Sequence, residues 1–138
     1  MRLALELARR GYGRTSPNPM VGAVLVRGRR ELGRGWHRGA GLAHAEIEAL
    51  RDAGRRGHSP RGSTLYVTLE PCSTQGRTPP CTGALLVAGI GRVVVGTTDP
   101  NPAHHGRGLR QLRRAGVEVS LGPLTEDCVR LNEAFNHW

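Results

Sequence analysis

The sequence predicts an α/β fold, a three-layer α/β/α sandwich over a mixed sheet of about five strands. Two observations carry that expectation. Apolar runs rich in β-branched residues alternate along the chain with segments of helical period, the order that builds a sheet covered by helices on both faces. The first two extended runs, however, are separated only by the charged turn Arg27-Gly28-Arg29-Arg30, so the sheet opens with an antiparallel hairpin. At 138 residues, with no internal repeat, linker or low-complexity stretch, the chain is expected to form one domain, 1–138, long enough to bury a single core.

Taken in order, residues 2–10 place Leu3, Leu7 and Arg10 on one helical face with Leu5 and Ala8 beside it, and Gly11 and Gly13 end that helix. Thr15-Ser16-Pro17-Asn18-Pro19 is a loop stiffened by its prolines, able either to aim Asn18 at a ligand or simply to turn into a strand. Residues 20–26 form a continuous apolar run, the pattern of a strand buried on both faces. Residues 31–37 read as a returning, more exposed strand, which leaves His37 beside the Gly39-Ala40-Gly41 loop. A helix is expected over 43–53 with Ile47, Leu50 and Ala53 at core spacing. Residues 63–69 form a second central strand that delivers Glu70-Pro71-Cys72 at its C-terminal end, where open α/β sheets place their sites. A helix over 82–88 turns Leu85 and Leu86 inward and leaves Cys81 near its N-terminus. A third buried strand over 91–97 runs into Asp99-Pro100-Asn101-Pro102. A helix over 108–115, a short strand over 117–121 and a helix over 124–135 complete the pattern.

Composition narrows the function classes. All 20 basic residues are arginine and the formal net charge is +9, which favours anionic ligands by long-range steering, whether phosphorylated small molecules or nucleic acid. No apolar run approaches the roughly 18 residues needed to cross a bilayer. Glu6 interrupts the short apolar stretch at the N-terminus, so a cytoplasmic protein is expected rather than a secreted one. Three cysteines argue against a disulfide framework, and Cys128, inside the last helical pattern, is expected to be a small buried hydrophobe.

The residues of chemical interest converge on His44-Ala45-Glu46. A neutral histidine nitrogen and the thiolates of Cys72 and Cys81 make a three-ligand zinc set that leaves one tetrahedral position open, the mark of a catalytic rather than a structural metal. Glu46 is placed to move protons for whatever the metal activates. Side chains two apart on a helix do not face each other, so His44 and Glu46 share a site only if they sit in its first turn. Amides at the start of a helix favour a thiolate at Cys81. His-x-Glu followed by Pro-Cys and a second Cys is the signature of zinc nucleobase deaminases.

The chain resembles the deaminase domain of the bifunctional riboflavin-biosynthesis deaminase-reductases, within the cytidine-deaminase-like superfamily. The resemblance runs through residues 3–8, 15–26, 35–46, 64–81, 99–108 and 131–138. Its most specific part is Thr64-Leu-Tyr-Val-Thr-Leu-Glu-Pro-Cys72 followed by Gly76-Arg77-Thr78-Pro79-Pro80-Cys81. Deaminases of cytidine, deoxycytidylate and tRNA adenosine generally place two residues between the paired cysteines, whereas here eight separate Cys72 from Cys81. The resemblance implies zinc held by His44, Cys72 and Cys81, with Glu46 as proton shuttle. It also implies a substrate pocket lined by Asn18, His37, Arg77, Asp99 and Asn101, Arg77 being a permanent cation within reach of an anionic group. The implied substrate is 2,5-diamino-6-ribosylamino-4(3H)-pyrimidinone 5′-phosphate, deaminated to 5-amino-6-ribosylaminouracil 5′-phosphate in riboflavin biosynthesis. Thr74 stands where the family usually has histidine, so that role falls to Gln75, His104 or His105, or the site is weakened there. His104 and His105 are expected as loop residues near the pocket mouth rather than a second metal site.

Two other functions compete with this one. The basic charge suits a deaminase of nucleic acid, such as one acting on tRNA adenosine, but the cysteine spacing and the Asp99-Pro-Asn-Pro block do not. A zinc-stabilised RNA-binding domain without chemistry would have no need of Glu46 and would usually close its metal with a fourth protein ligand. The expected partner is therefore a small phosphoribosyl-pyrimidine, with no nucleic acid and no membrane; self-association is compatible with this reading. No reductase segment is expected within these residues, and NADPH is not assigned.

Overall fold

The register of the hairpin and of the buried runs decides the architecture. In a computed structural model, every residue is described except 16–17, 40, 73–80, 100–104, 123 and 134–138. The elements run α1 (Arg2–Arg9), β1 (Gly22–Arg27), β2 (Arg30–Trp36), α2 (Ala45–Arg55), β3 (Thr64–Leu69), α3 (Cys81–Ala88), β4 (Arg92–Thr97), α4 (Arg107–Arg114), β5 (Glu118–Leu121) and α5 (Thr125–Leu131). Their strands form one five-stranded sheet in the order β2-β1-β3-β4-β5. β1 is antiparallel to both β2 and β3, whereas β3, β4 and β5 are parallel. The expected mixed sheet is thus present. Because β1 runs against β3, the start of β1 and the ends of β2, β3 and β4 all open on the same edge.

Helices α2, α3 and α4 cover one face and α1 and α5 the other, which gives the three layers. The larger core lies under α2–α4, with Leu25, Leu32, Leu65, Val67, Leu85, Val93, Val95 and Leu112 among its buried side chains; a smaller one holds Ala4, Leu7 and Val24 under α1.

Several boundaries and faces differ from the sequence expectation. β2 is half-buried rather than largely exposed, because Gly33 and Gly35 let α2 settle onto the strand. A Cβ on Gly33 would lie 2.4 Å from the Ala49 carbonyl oxygen and 2.6 Å from the Ala53 nitrogen. At that separation only small residues fit between the layers, so Ala45, Ala49 and Ala53 make the buried face of α2, while Ile47 and Leu50 are only partly buried. On α3, Leu85 is fully buried but Leu86 points outward, 37% exposed. On α1 the buried face is Ala4, Leu5, Leu7 and Ala8, with Arg10 exposed and its guanidinium over the Trp36 ring at 4.9 Å. Cys128 is a buried free thiol seated over β4, where a Cβ on Gly96 would meet its sulfur at 2.3 Å; burial pushes its pKa up to about 11, as expected of an inert core cysteine. Among the described residues no helix is long and apolar enough to cross a membrane.

Candidate active site

The shared edge of the sheet gathers the site. α2 begins at Ala45, two residues later than the expected helix over 43–53: His44 is its N-cap, in extended conformation (φ −73°, ψ 164°), and Glu46 lies in its first turn. That break in backbone direction is what lets two side chains separated by one residue reach the same point. Cys72 follows the end of β3, and Cys81 is the first residue of α3. The α3 backbone is tied to Cys72 through the Cys81 N–H, which donates to the Cys72 sulfur at 3.2 Å, and the Thr82 N–H, which donates to its carbonyl at 3.2 Å. Two helices therefore aim their N-termini, the positive ends of their dipoles, at one place.

There the ligating atoms of His44, Cys72 and Cys81 lie within 4.8 Å of one another. His44 Nδ1 is 3.2 Å from Cys81 Sγ and 3.6 Å from Cys72 Sγ. A zinc ion bonded tetrahedrally at ordinary Zn–S and Zn–N lengths sets an N···S separation of about 3.6 Å, so the donor set is close to the spacing the metal requires. Its chemistry fits as well. Hydrogen bonds from Cys81 and His44 pull the Cys72 thiol down to about 4 against the cost of burial. Sharing that thiolate, together with burial, pushes the Cys81 thiol up. The His44 imidazole is raised, first by its bond to Cys72. One thiolate is in place, and a cation is what would release the second proton.

Glu46 is only 3% exposed. Burial pushes its carboxyl above the usual range, with the Cys81 hydrogen bond and the His44 charge working the other way. It shares a pocket of about 170 Å³ with Asn18, His37, His44, Cys72 and Asp99; Leu69, Val21 and Pro19 supply apolar wall, and Glu70 completes the lining. His37 is buried and lowered in pKa, chiefly by that burial. As a neutral ring it donates from Nδ1 to the Ala43 carbonyl (3.1 Å) and accepts at Nε2 from the Asn18 amide (3.2 Å). That arrangement turns the Asn18 carbonyl oxygen away from the histidine and fixes the chain just ahead of His44. The His37 and His44 rings meet edge to face at 5.4 Å.

Six of the nine expected site residues thus line one pocket, and Cys81 completes the donor group beside it. Arg77 and Asn101 lie outside the described residues, as do Thr74, Gln75 and His104. His105 is exposed, with Nδ1 3.2 Å from the Asp99 carbonyl oxygen. Two polar residues escaped the sequence reading. Glu70 was seen only as part of a motif. Asn132, from the end of α5, grips Met20 by accepting its N–H at 2.7 Å and donating to its carbonyl at 2.9 Å, 112 residues away in sequence. No local pattern could have flagged it.

A buried carboxylate beside a His-Cys-Cys donor group, at the strand ends of a mixed α/β/α sheet, is the arrangement that metal-assisted activation of water calls for. The chain belongs to the cytidine and deoxycytidylate deaminase zinc-binding region family, whose model matches residues 1–97. It is 55% identical over 135 residues to the riboflavin biosynthesis protein RibD of a Synechocystis species, covering 98% of this chain and 36% of that protein. It is 42% identical to the diaminohydroxyphosphoribosylamino-pyrimidine deaminase of Buchnera aphidicola subsp. Schizaphis graminum, covering 98% of this chain and 90% of that protein. A crystal structure of the Thermotoga maritima diaminohydroxyphosphoribosylaminopyrimidine deaminase/5-amino-6-(5-phosphoribosylamino)uracil reductase superposes with a TM-score of 0.93 at 47% identity, over 98% of this chain and 38% of that one. The chain thus spans little more than a third of the length of relatives such as the Synechocystis protein.

Proposed function

We propose that this chain hydrolyses the 2-amino group of 2,5-diamino-6-ribosylamino-4(3H)-pyrimidinone 5′-phosphate, giving 5-amino-6-ribosylaminouracil 5′-phosphate and ammonia in riboflavin biosynthesis. The observation that carries the reading is the convergence of His44, Cys72 and Cys81 to within 4.8 Å, with buried Glu46 in the same pocket. The substrate rests on the relatives' names and on the eight-residue spacing between the two cysteines.

His44, Cys72 and Cys81 hold zinc, which supplies a Lewis acid able to activate water at neutral pH. Glu46 works as general base and then as general acid. It accepts the proton released as water adds to the amine-bearing carbon and delivers it to the adjacent ring nitrogen. It then moves the hydroxyl proton to the amine, which leaves as ammonia while the carbonyl forms. The raised carboxyl suits both roles, since an acid–base group works best with a pKa near the operating pH. Asn18, with its oxygen turned away from His37, offers an acceptor to the substrate. Asp99 stands on the same wall, and Arg77 and Asn101 are assigned to the ribose and phosphate. Neutral His37 holds Asn18 and the chain leading into His44.

Ammonia release by the zinc-loaded protein tests the substrate assignment. The expected outcome is turnover of the free phosphoribosyl-pyrimidine and none of deoxycytidylate or tRNA. Turnover of tRNA in place of the small molecule would replace this assignment with that of a nucleic-acid deaminase.

A further inference from the structure

Glu70 is 6% exposed and sits between β3 and the metal ligand Cys72. Its backbone N–H continues the ladder to β4 by donating to the Thr97 carbonyl at 2.9 Å. Its side chain does something different. Oε1 accepts the backbone N–H groups of Asp99 (3.0 Å) and Gly106 (2.9 Å), and Oε2 accepts that of Gly108 (2.9 Å). All three donors are main-chain groups from a different part of the chain, 29 to 38 residues on. They lie just after β4, at the N-cap of α4 and in its first turn.

Helix α4 explains why a carboxylate is needed. Its N-cap is Gly106, in the left-handed region (φ 74°), with no side chain to satisfy the first amides. Glu70 supplies the missing cap from another strand, and its charge faces the positive end of the helix dipole. Space for it is kept by Gly108, where a Cβ would lie 2.3 Å from the Pro71 carbonyl oxygen and 3.4 Å from Glu70 Oε2. One side chain thus links the strand end that carries Cys72 to the residue, Asp99, that walls the pocket.

The geometry points to Glu70 as a positioning residue for substrate binding, one that sets the main chain of Asp99 against the pocket and takes no part in metal binding or proton transfer. This role rests on the deaminase reading above. Glu70→Gln keeps one oxygen but turns an amide N–H toward one of the backbone donors, and Glu70→Ala removes all three bonds. For both variants full zinc content is expected. KM should rise about ten-fold or more, with Ala worse than Gln, while kcat changes little. In the double variant Glu70→Gln/Asp99→Asn, KM should rise no further than in Asp99→Asn alone, because the position that Glu70 secures has lost its function. Additive effects, a fall confined to kcat, or a Glu70→Gln protein that loses zinc or cannot fold would mark a merely structural role and overturn the proposal. Amide hydrogen exchange reads the same bonds without substrate: protection at Asp99, Gly106 and Gly108 should fall in Glu70→Gln, and unchanged protection would also overturn it. A wild-type protein that lacks turnover while exchange responds as described would count against the substrate assignment and not against the clamp.

Discussion

Cys72 shows how little a single residue means before its neighbours are placed. A cysteine after a proline is unremarkable; one held near a pKa of 4 by hydrogen bonds from a second thiol and an imidazole is one of three donors able to hold a metal. Replacing its sulfur with a hydroxyl removes a soft thiolate from a three-ligand set, so Cys72→Ser is expected to lose zinc as well as activity, with stoichiometry read by atomic absorption. His44, Glu46, Cys72 and Cys81 were all legible in the sequence, because their spacing is chemistry written locally. That His37 lies near His44 followed from its place at the end of a strand, whereas Asp99 was singled out by resemblance alone. What could not be read was how they are held: the His37 ring between Asn18 and Ala43, Glu70 reaching the amides of residues 99–108, and Asn132 gripping Met20. Each of these links groups that only the folded chain brings together.

Among the elements, the pairing of β2 with α2 governs where the site forms, since α2 carries His44 and Glu46 at its start. Gly33→Ala would drive a methyl group into the Ala49 and Ala53 backbone, neither of which can turn aside. The expected cost is about 2 kcal/mol or more, measured by urea unfolding. The far end of α2 is tied to β2 by Glu31, whose carboxylate meets Arg34 at 2.7 Å and Arg56 at 2.8 Å. Arg34, then Arg56, holds the Glu31 pKa below its ordinary value. A lowered carboxylate stabilises the fold above its unfolded pKa and loses that contribution as the pH falls. Glu31→Gln should therefore cost about 1 kcal/mol or less at pH 7, since these side chains are partly exposed, and the difference from wild type should shrink as the pH falls below the ordinary carboxylate value and vanish once it passes the lowered native one. The order and type of every element followed from the sequence, but the inward faces of α2 and α3 did not. Helical period says which residues share a face. It cannot say that a glycine-bearing strand will bring the helix close enough to prefer alanine over Ile47 and Leu50.

At the scale of the whole molecule, the mixed sheet was foreseeable from the hairpin followed by alternating strands and helices. The order β2-β1-β3-β4-β5, which brings four strand ends to one edge, had to be seen. A net charge of +9 favours the approach of an anionic ligand, and the substrate proposed above carries a phosphate. kcat/KM is therefore expected to fall several-fold between low salt and about 0.15 M ionic strength, with kcat nearly unchanged, as steady-state rates across a salt series will show. The account depends most on three ligands holding the metal while a separate carboxylate moves the protons. The direct measurement is zinc content beside ammonia release in Glu46→Ala. Retention of one zinc per chain with turnover reduced by two or more orders of magnitude is the predicted result, and deamination at the wild-type rate would contradict it.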